Sequence, residues 1–354
     1  MHLCYVDCFK KKIQQKQNNN LKSLTMKNLI WLKKTVLVLL LVSFTVACSD
    51  DDEVSAQGTT ITDLAIDSPA LSSLVAALTA AEGDLPAVLK GAGPYTVLAP
   101  TNAAFEEFLD GRDLEDIPSG ELTQVLLNHV LNGRIEAADL ASLNADGIFY
   151  ASTLATGAKA NTQMSIYFNT EIGVEFNGVA SVIPDGANIQ ASNGVIHIVD
   201  AVIDLPTIVT FATADDRFST LVSALTADDS FGYVAALGTP NGTEPTPFTV
   251  FAPTNDAFAA LLVDLEATGL ISIPIPTLQT VLEYHVVTEA NVLSSELPGL
   301  DGASVETFGG SNITIQASPA GIIGPGDDTT LNPIVIADVQ ASNGVIHALS
   351  RVIR

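Results

Sequence analysis

Four histidines, His129, His197, His285 and His347, are the side chains best suited by type to hold a metal or move a proton. They recur at matched places: His129 in LTQVLLNHVL and His285 in LQTVLEYHVV, His197 in ASNGVIHIVD and His347 in ASNGVIHALS. A zinc site needs three or four clustered ligands, and neither HExxH nor a close histidine pair occurs. His129 stands seven residues after Leu122, on the helical face of Val125 and Leu126, where a packed, hydrogen-bonded ring is the expectation. His197 and His347 lie between apolar neighbours in strand-like segments, and the same structural role is expected of them. With 40 acidic residues in the chain, neighbours such as Glu106 and Glu107 meet by chance and mark no acid/base pair. No G-x-S-x-G elbow, P-loop or G-x-G-x-x-G is present, and GGSNIT at 309–314 reads as a turn before a strand. The expectation is a chain without catalysis, cofactor or metal.

The elements that position these residues come in two copies. YTVLAPTNAAFEEFL (95–109) returns as FTVFAPTNDAFAALL (248–262), and IQASNGVIHIVDAVI (189–203) returns as VQASNGVIHALSRVI (339–353). The unit is about 150 residues, a full globular domain rather than a solenoid repeat. Leu71, Leu74, Val75 and Leu78 have helical spacing, and Phe218, Leu221, Val222 and Leu225 repeat it. Pro100, Thr101 and Asn102, matched by Pro253, Thr254 and Asn255, read as a turn with a helix cap, since Thr and Asn oxygens accept the first free N–H groups. Phe105, Phe108 and Leu109 begin the helix that follows. The later half of each copy is β-branched and punctuated by glycine, so the expected class is α+β.

The T-V-x-A-P-T-N-x-A-F segment, the x-H-V segment and the closing A-S-N-G-V-I-H strand together resemble the fasciclin-like domain, twice, over about residues 58–354. The resemblance implies two tandem domains, 58–204 and 205–354, each a sandwich or wedge of about seven strands in two sheets with helices packed at one side. It also implies a role in cell adhesion or contact with extracellular matrix. At one point the copies differ: the first reads NHV at 128–130 and the second has the family's more usual YHV at 284–286. If that tyrosine takes part in recognition, as the family suggests, the binding residues are Tyr284 and His285, with Asn128 and His129 at the matching place.

The N-terminus sets the location. Residues 1–25 are polar, lysine-rich and unpatterned, as from a misplaced start codon, and Met26 opens a positively charged, apolar signal over 26–47. That signal ends at Cys48 and resembles a bacterial lipoprotein signal, in which the cysteine is lipidated, although Thr45 stands where leucine is usual. The acidic SDDDE that follows, in a tether over 48–57, resembles the sequence that sends lipoproteins of Bacteroidetes-type bacteria to the outer face of the outer membrane. Cys4, Cys8 and Cys48 are the three cysteines, so the residues beyond 48 form no disulfide and no thiolate site. Those residues carry 7 basic and 39 acidic side chains, a net charge of about −32, which excludes nucleic acid and anionic lipid as partners. No calcium loop accompanies the acidity. The loops at 238–248 and 318–333 are Gly/Pro-rich, and Asp328-Thr329-Thr330 resembles a bacterial O-glycosylation site. Three readings stand: a surface adhesin for an extracellular protein, matrix or polysaccharide; a structural component of the cell envelope that binds neighbouring envelope proteins; and a polymer hydrolase, for which no carboxylate pair is marked.

Overall fold

The computed structural model describes residues 58–140, 148–171, 173–327 and 329–354. The leader, signal and tether, with Cys48, lie outside the described residues, as does Asp328 of the expected O-glycosylation site.

Each repeat opens with short helices whose starts are written in the sequence. Thr60 begins α1 (Ile61–Asp67) by accepting from the Asp63 N–H, while the Asp63 carboxylate accepts from the Thr60 N–H. Thr207 and Thr210 form the same reciprocal cap at α7 (Ile208–Ala214). Helices α2 (Ser72–Ala80) and α3 (Leu85–Lys90) follow in the first repeat, and α8 (Ser219–Leu225) and α9 (Tyr233–Leu237) in the second. The strands β1 (Tyr95–Pro100) and β9 (Phe248–Pro253) then run into α4 (Asn102–Leu109) and α10 (Asn255–Asp264). Thr101 and Thr254 cap these helices through their hydroxyls, a contribution of about 1 kcal/mol each. The adjacent asparagines do something else. Asn102 accepts from the Ser73 N–H and donates to the Pro69 carbonyl, and Asn255 accepts from the Thr220 N–H and donates to the Asp216 carbonyl. The cap is therefore threonine alone, and asparagine pins the preceding helix to the turn.

The third long helix is α5 (Ser119–Asn128), matched by α11 (Ile275–Glu283), with α6 (Ala137–Leu140) a single turn. The remaining strands of the first repeat are β2 (Val130–Asn132), β3 (Ile148–Thr156), β4 (Gln163–Asn169), β5 (Glu175–Phe176), β6 (Ala180–Ser181), β7 (Ile189–Ala191) and β8 (Gly194–Val199). The second repeat adds β10 (Val286–Val287), β11 (Ser304–Glu306), β12 (Asn312–Ala317), β13 (Ala320–Ile323), β14 (Asn332–Gln340) and β15 (Gly344–Leu349). The strands of each domain hydrogen-bond in one order, β6-β5-β4-β3-β2-β1-β8-β7 and β10-β9-β15-β14-β13-β12-β11. The two sheets implied for each domain are thus two parts of one curled sheet. GGSNIT is a turn followed by β12.

The first and last motifs of each repeat meet in the middle of its sheet. β1 lies parallel to β8, with Tyr95 opposite Gly194, and β9 lies parallel to β15, with Phe248 opposite Gly344. A Cβ on Gly194 would fall 2.1 Å from the Tyr95 carbonyl oxygen, and one on Gly344 would fall 2.4 Å from that of Phe248, so only glycine allows this approach. Alternate residues of these strands face two cores. Val97 and Ala99 pack against the helices with Leu74, Phe105 and Leu122, while Leu98 joins Ile166, Phe168 and Phe176 on the other face. Val250 and Ala252 repeat the first arrangement, and Phe251 the second.

The described residues form a single compact unit. The hairpin of β3 and β4 reaches into the second domain, where Tyr167 belongs to that domain's core and Ser165 accepts from the Gln340 N–H at 2.9 Å. Ala158 donates to the Ala341 carbonyl, and the Lys159 ammonium pairs with Glu296 at 2.5 Å.

Candidate functional site

The four histidines come first, because chemistry would begin with them. His129 ends α5, where its Nδ1 lies 2.7 Å from the Val125 carbonyl and its Nε2 accepts from the Ile203 N–H at 2.9 Å. A carbonyl only accepts, so Nδ1 carries the hydrogen. His285 repeats the arrangement with Val281 and Ile353 at 2.7 and 3.0 Å. His197 donates from Nε2 to the Ile135 carbonyl and accepts at Nδ1 from Asn188; His347 does the same with Val292 and Asp338. All four rings are buried, and both nitrogens of each are engaged with backbone. Burial lowers His129 and His285 to about 4, and it lowers His197 and His347 as well. These neutral rings join the closing strand to the rest of each domain, with no nitrogen left for a metal. Among the described residues no group of three His, Cys, Asp or Glu side chains is placed to hold an ion.

The difference between NHV and YHV has a local cause. Asn128 is buried and its amide donates to the carbonyls of Ile203 and Asp204, at 3.2 and 3.1 Å. It holds the segment that leads into the second domain. Tyr284 is half-buried against the cluster around Phe251, Val287 and Ile313. Of Asn128, His129, Tyr284 and His285, only Tyr284 reaches the surface.

A different surface of the second domain has the composition of a binding cleft. It holds about 280 Å³ and is lined by Phe231, Tyr233, Phe308, Gln279 and Glu283. Phe231 and Tyr233 have ring centroids 5.2 Å apart, and Phe308 meets Tyr233 edge-on at 6.3 Å. Phe308 is 42% exposed, in the turn before β12. The Glu283 carboxylate accepts from the Tyr233 hydroxyl at 2.9 Å and from the Gln279 amide at 3.1 Å. Burial and this carboxylate together push the Tyr233 phenol up, so it remains a donor. Aromatic faces beside a few fixed polar groups are the makings of a small recognition site. Matching positions in the first repeat are Gly83, Leu85, Thr123 and Leu127, so the cleft belongs to one domain. Its residues come from three separated segments, and no spacing in the sequence marks them.

Sequence reasoning also passed over Asn193 and Asn343, the asparagines of the two A-S-N-G segments. Asn193 accepts from the Ile61 N–H and donates to the Leu89 and Gly91 carbonyls; Asn343 does so with Ile208, Leu237 and Thr239. Each ties its domain's first helix to its last strand, and their exact repetition in the sequence was the available signal.

Comparison with known proteins agrees with this architecture. A model of the Fasciclin domain matches residues 69–206 and 216–354. Protein sll1483 of Synechocystis sp. is 39% identical over 151 residues, covering 42% of this chain and 72% of that protein. Human periostin is 29% identical over 283 residues, covering 75% of this chain and 29% of periostin. Transforming growth factor-beta-induced protein ig-h3 of Sus scrofa is 28% identical over 274 residues, covering 75% of this chain and 35% of that protein. The chain therefore spans about a third of the length of the two animal proteins. A solved FAS1 domain pair from the insect cell adhesion molecule Fasciclin I superposes with a TM-score of 0.51 at 20% identity, covering 80% of this chain and 97% of that one. With the same domain matched twice along its length, and the paired fold recovered in three dimensions, this chain belongs to the fasciclin domain family.

Proposed function

We propose that this protein is a non-catalytic adhesin displayed on the outer surface of a bacterial cell, and that it binds a polysaccharide or matrix glycan through the aromatic cleft of its second domain. The observation that carries this is the cleft itself, where exposed Phe308 and half-buried Phe231 flank the fixed Glu283–Tyr233–Gln279 group. A pyranose ring offers the matching chemistry, an apolar C–H face for the rings and hydroxyls for the carboxylate and amide. The insect relative is a cell adhesion molecule by its description, which supports the same direction. An extracellular protein presenting such groups is a second class of ligand for the same cleft.

The signal, the cysteine and the acidic tether support an exported lipoprotein of Bacteroidetes type, held at the outer membrane by a lipid on Cys48. Among the described residues no single helix is long and apolar enough to cross a membrane. In this reading the lipid is the membrane contact, and the charge of about −32 beyond it repels anionic head groups. Fatty-acid labelling of cells should tag the wild-type chain and leave Cys48→Ser untagged; equal labelling of both would remove the anchor.

Binding of residues 58–354 to a polysaccharide panel and to intact cells tests the function. Saturable binding is expected, weakened about tenfold by Phe308→Ala, the loss of one exposed aromatic anchor. Binding that Phe308→Ala leaves unchanged would move the site elsewhere, with Tyr284 the next position to alter. No binding to any surface would favour an envelope protein as partner, and crosslinking on living cells would identify it.

A further inference from the structure

The second domain contains a cavity that the first lacks. About 160 Å³ lies between α7, α8 and α9 and the strands β9 and β15, above Phe218, Leu221, Val250 and Ile346. The matching space in the first domain is about 20 Å³. The two linings are nearly the same: Leu74 matches Leu221, Leu89 matches Leu237, Val97 matches Val250, and Ile196 matches Ile346. Side-chain volume therefore does not explain the difference. In the first domain the Thr62 hydroxyl donates to the Pro86 carbonyl at 3.1 Å and ties α1 to α3 over the space. Val209 and Val234 occupy those places in the second domain, and Val209 has no hydroxyl to donate. Val234 is left 42% exposed at the rim.

The rim is as apolar as the floor. Thr213 and Thr226 turn their hydroxyls back to the carbonyls of Val209 and Val222 on their own helices, leaving methyl groups to face the opening. His285 is the one ionisable side chain in the lining, and both of its nitrogens are taken by backbone. A water molecule inside would find none of the two to four polar partners it needs. An apolar cavity of roughly 150 Å³ stays dry and takes up benzene or xenon.

We propose that this cavity is a binding site for a neutral apolar group of about six to eight carbon atoms, either a free ring or the end of a chain whose head stays in water. The volume admits such a group and is too small for the face of a helix. The site shares no residue with the aromatic cleft, and its occupancy does not depend on glycan binding.

The test uses the mature chain carrying Cys48→Ser, so that no lipid competes, with benzene as the ring probe and 1-octanol as the chain probe. Methyl NMR should show saturable shifts at Leu221, Val222, Leu237 and Val250 with one probe or both, and none at Leu74, Leu89 and Val97. Ala212→Leu, which fills the space, should abolish the shifts and keep or raise the Tm. Val222→Phe, which closes the rim, gives the same answer should the first variant not fold. Ala65→Leu at the matching tight place should lower the Tm, because no space receives it. The proposal is overturned if neither probe gives saturable shifts, if a folded cavity-filled variant responds like the wild type, or if both domains respond alike.

Discussion

Asp215→Ala should destabilise the protein by about 3 kcal/mol, the scale of breaking a buried ion pair from one side. It should also separate the unfolding of the two domains. The Asp215 side chain is fully buried and accepts four kinds of hydrogen bond: from the Arg217 backbone N–H at 3.0 Å, from Arg217 Nε at 2.9 Å and Nη2 at 2.7 Å, and from the Tyr150 hydroxyl at 2.8 Å. Tyr150 belongs to β3 of the first domain, and its ring packs edge-on against Phe211 of the second at 5.6 Å. The Arg217 guanidinium lies 5.8 Å from the centre of the same ring. Burial and the Asp215 charge push the Tyr150 phenol far up, so it stays a donor at any ordinary pH. Removing the carboxylate strips the hydroxyl of its acceptor and takes from the guanidinium the buried half of this ion pair. Arg217 is 27% exposed, which keeps the expected loss at the lower end of the range. Tyr150→Phe removes one bond to a charged acceptor and should cost about 1.5–2 kcal/mol. Urea denaturation read by a probe in each domain checks both variants. One shared transition at the wild-type midpoint for Asp215→Ala would show that this cluster does not couple the domains.

That coupling bears on the proposed adhesion, because two domains held at a fixed angle present their surfaces with a fixed spacing. The short junction at 204–211 argues in the same direction from sequence alone. The junction is nevertheless the smaller part of the connection. The larger part is the β3–β4 hairpin, whose Ser165 and Tyr167 enter the second domain.

The legible parts of this protein were those repeated within it or confined to neighbouring residues. The helices show their 3.6-residue spacing, the caps are Thr followed by a helical run, and the matched histidines sit among apolar residues in both copies. Besides Asn193 and Asn343, which are repeated and were still passed over, three things escaped. The cap motif hides two jobs, since threonine caps and asparagine clamps, and composition does not separate them. Asp215 is one of 39 acids beyond residue 48, and its partner Tyr150 lies 65 residues away across a domain boundary that no repeat spans. The aromatic cleft and the apolar cavity both arise where the copies differ, at Tyr233, Glu283 and Val209. Repetition gives those positions no emphasis, and their meaning depends on what the fold brings beside them.

Acidification from pH 7 to 4.5 should cost about 5 kcal/mol of stability through His129 and His285 together. Each ring is neutral in the folded protein, with its titration lowered to about 4 by burial, and titrates near 6.5 once unfolded. Between those values the unfolded chain binds protons that the folded one cannot, so stability rises with pH across the window and is flat above it. At pH 4.5 the difference is about 2.5 kcal/mol for each ring. His197 and His347, lowered by burial in the same way, add to the loss with the same sign. Asp63, Asp228 and Glu296, each held low by its hydrogen bonds, add a loss of the same sign only near the ordinary carboxylate range, so the upper half of the window belongs to the histidines. The urea midpoint measured at half-unit steps should therefore begin to fall near pH 6.5. His285→Gln should be less stable at pH 7 but lose about 2.5 kcal/mol less on the way to 4.5. A proton on His285 must take the Nε2 lone pair that accepts from the Ile353 N–H, so a parallel fall in the variant would mean that the acid sensitivity arises elsewhere.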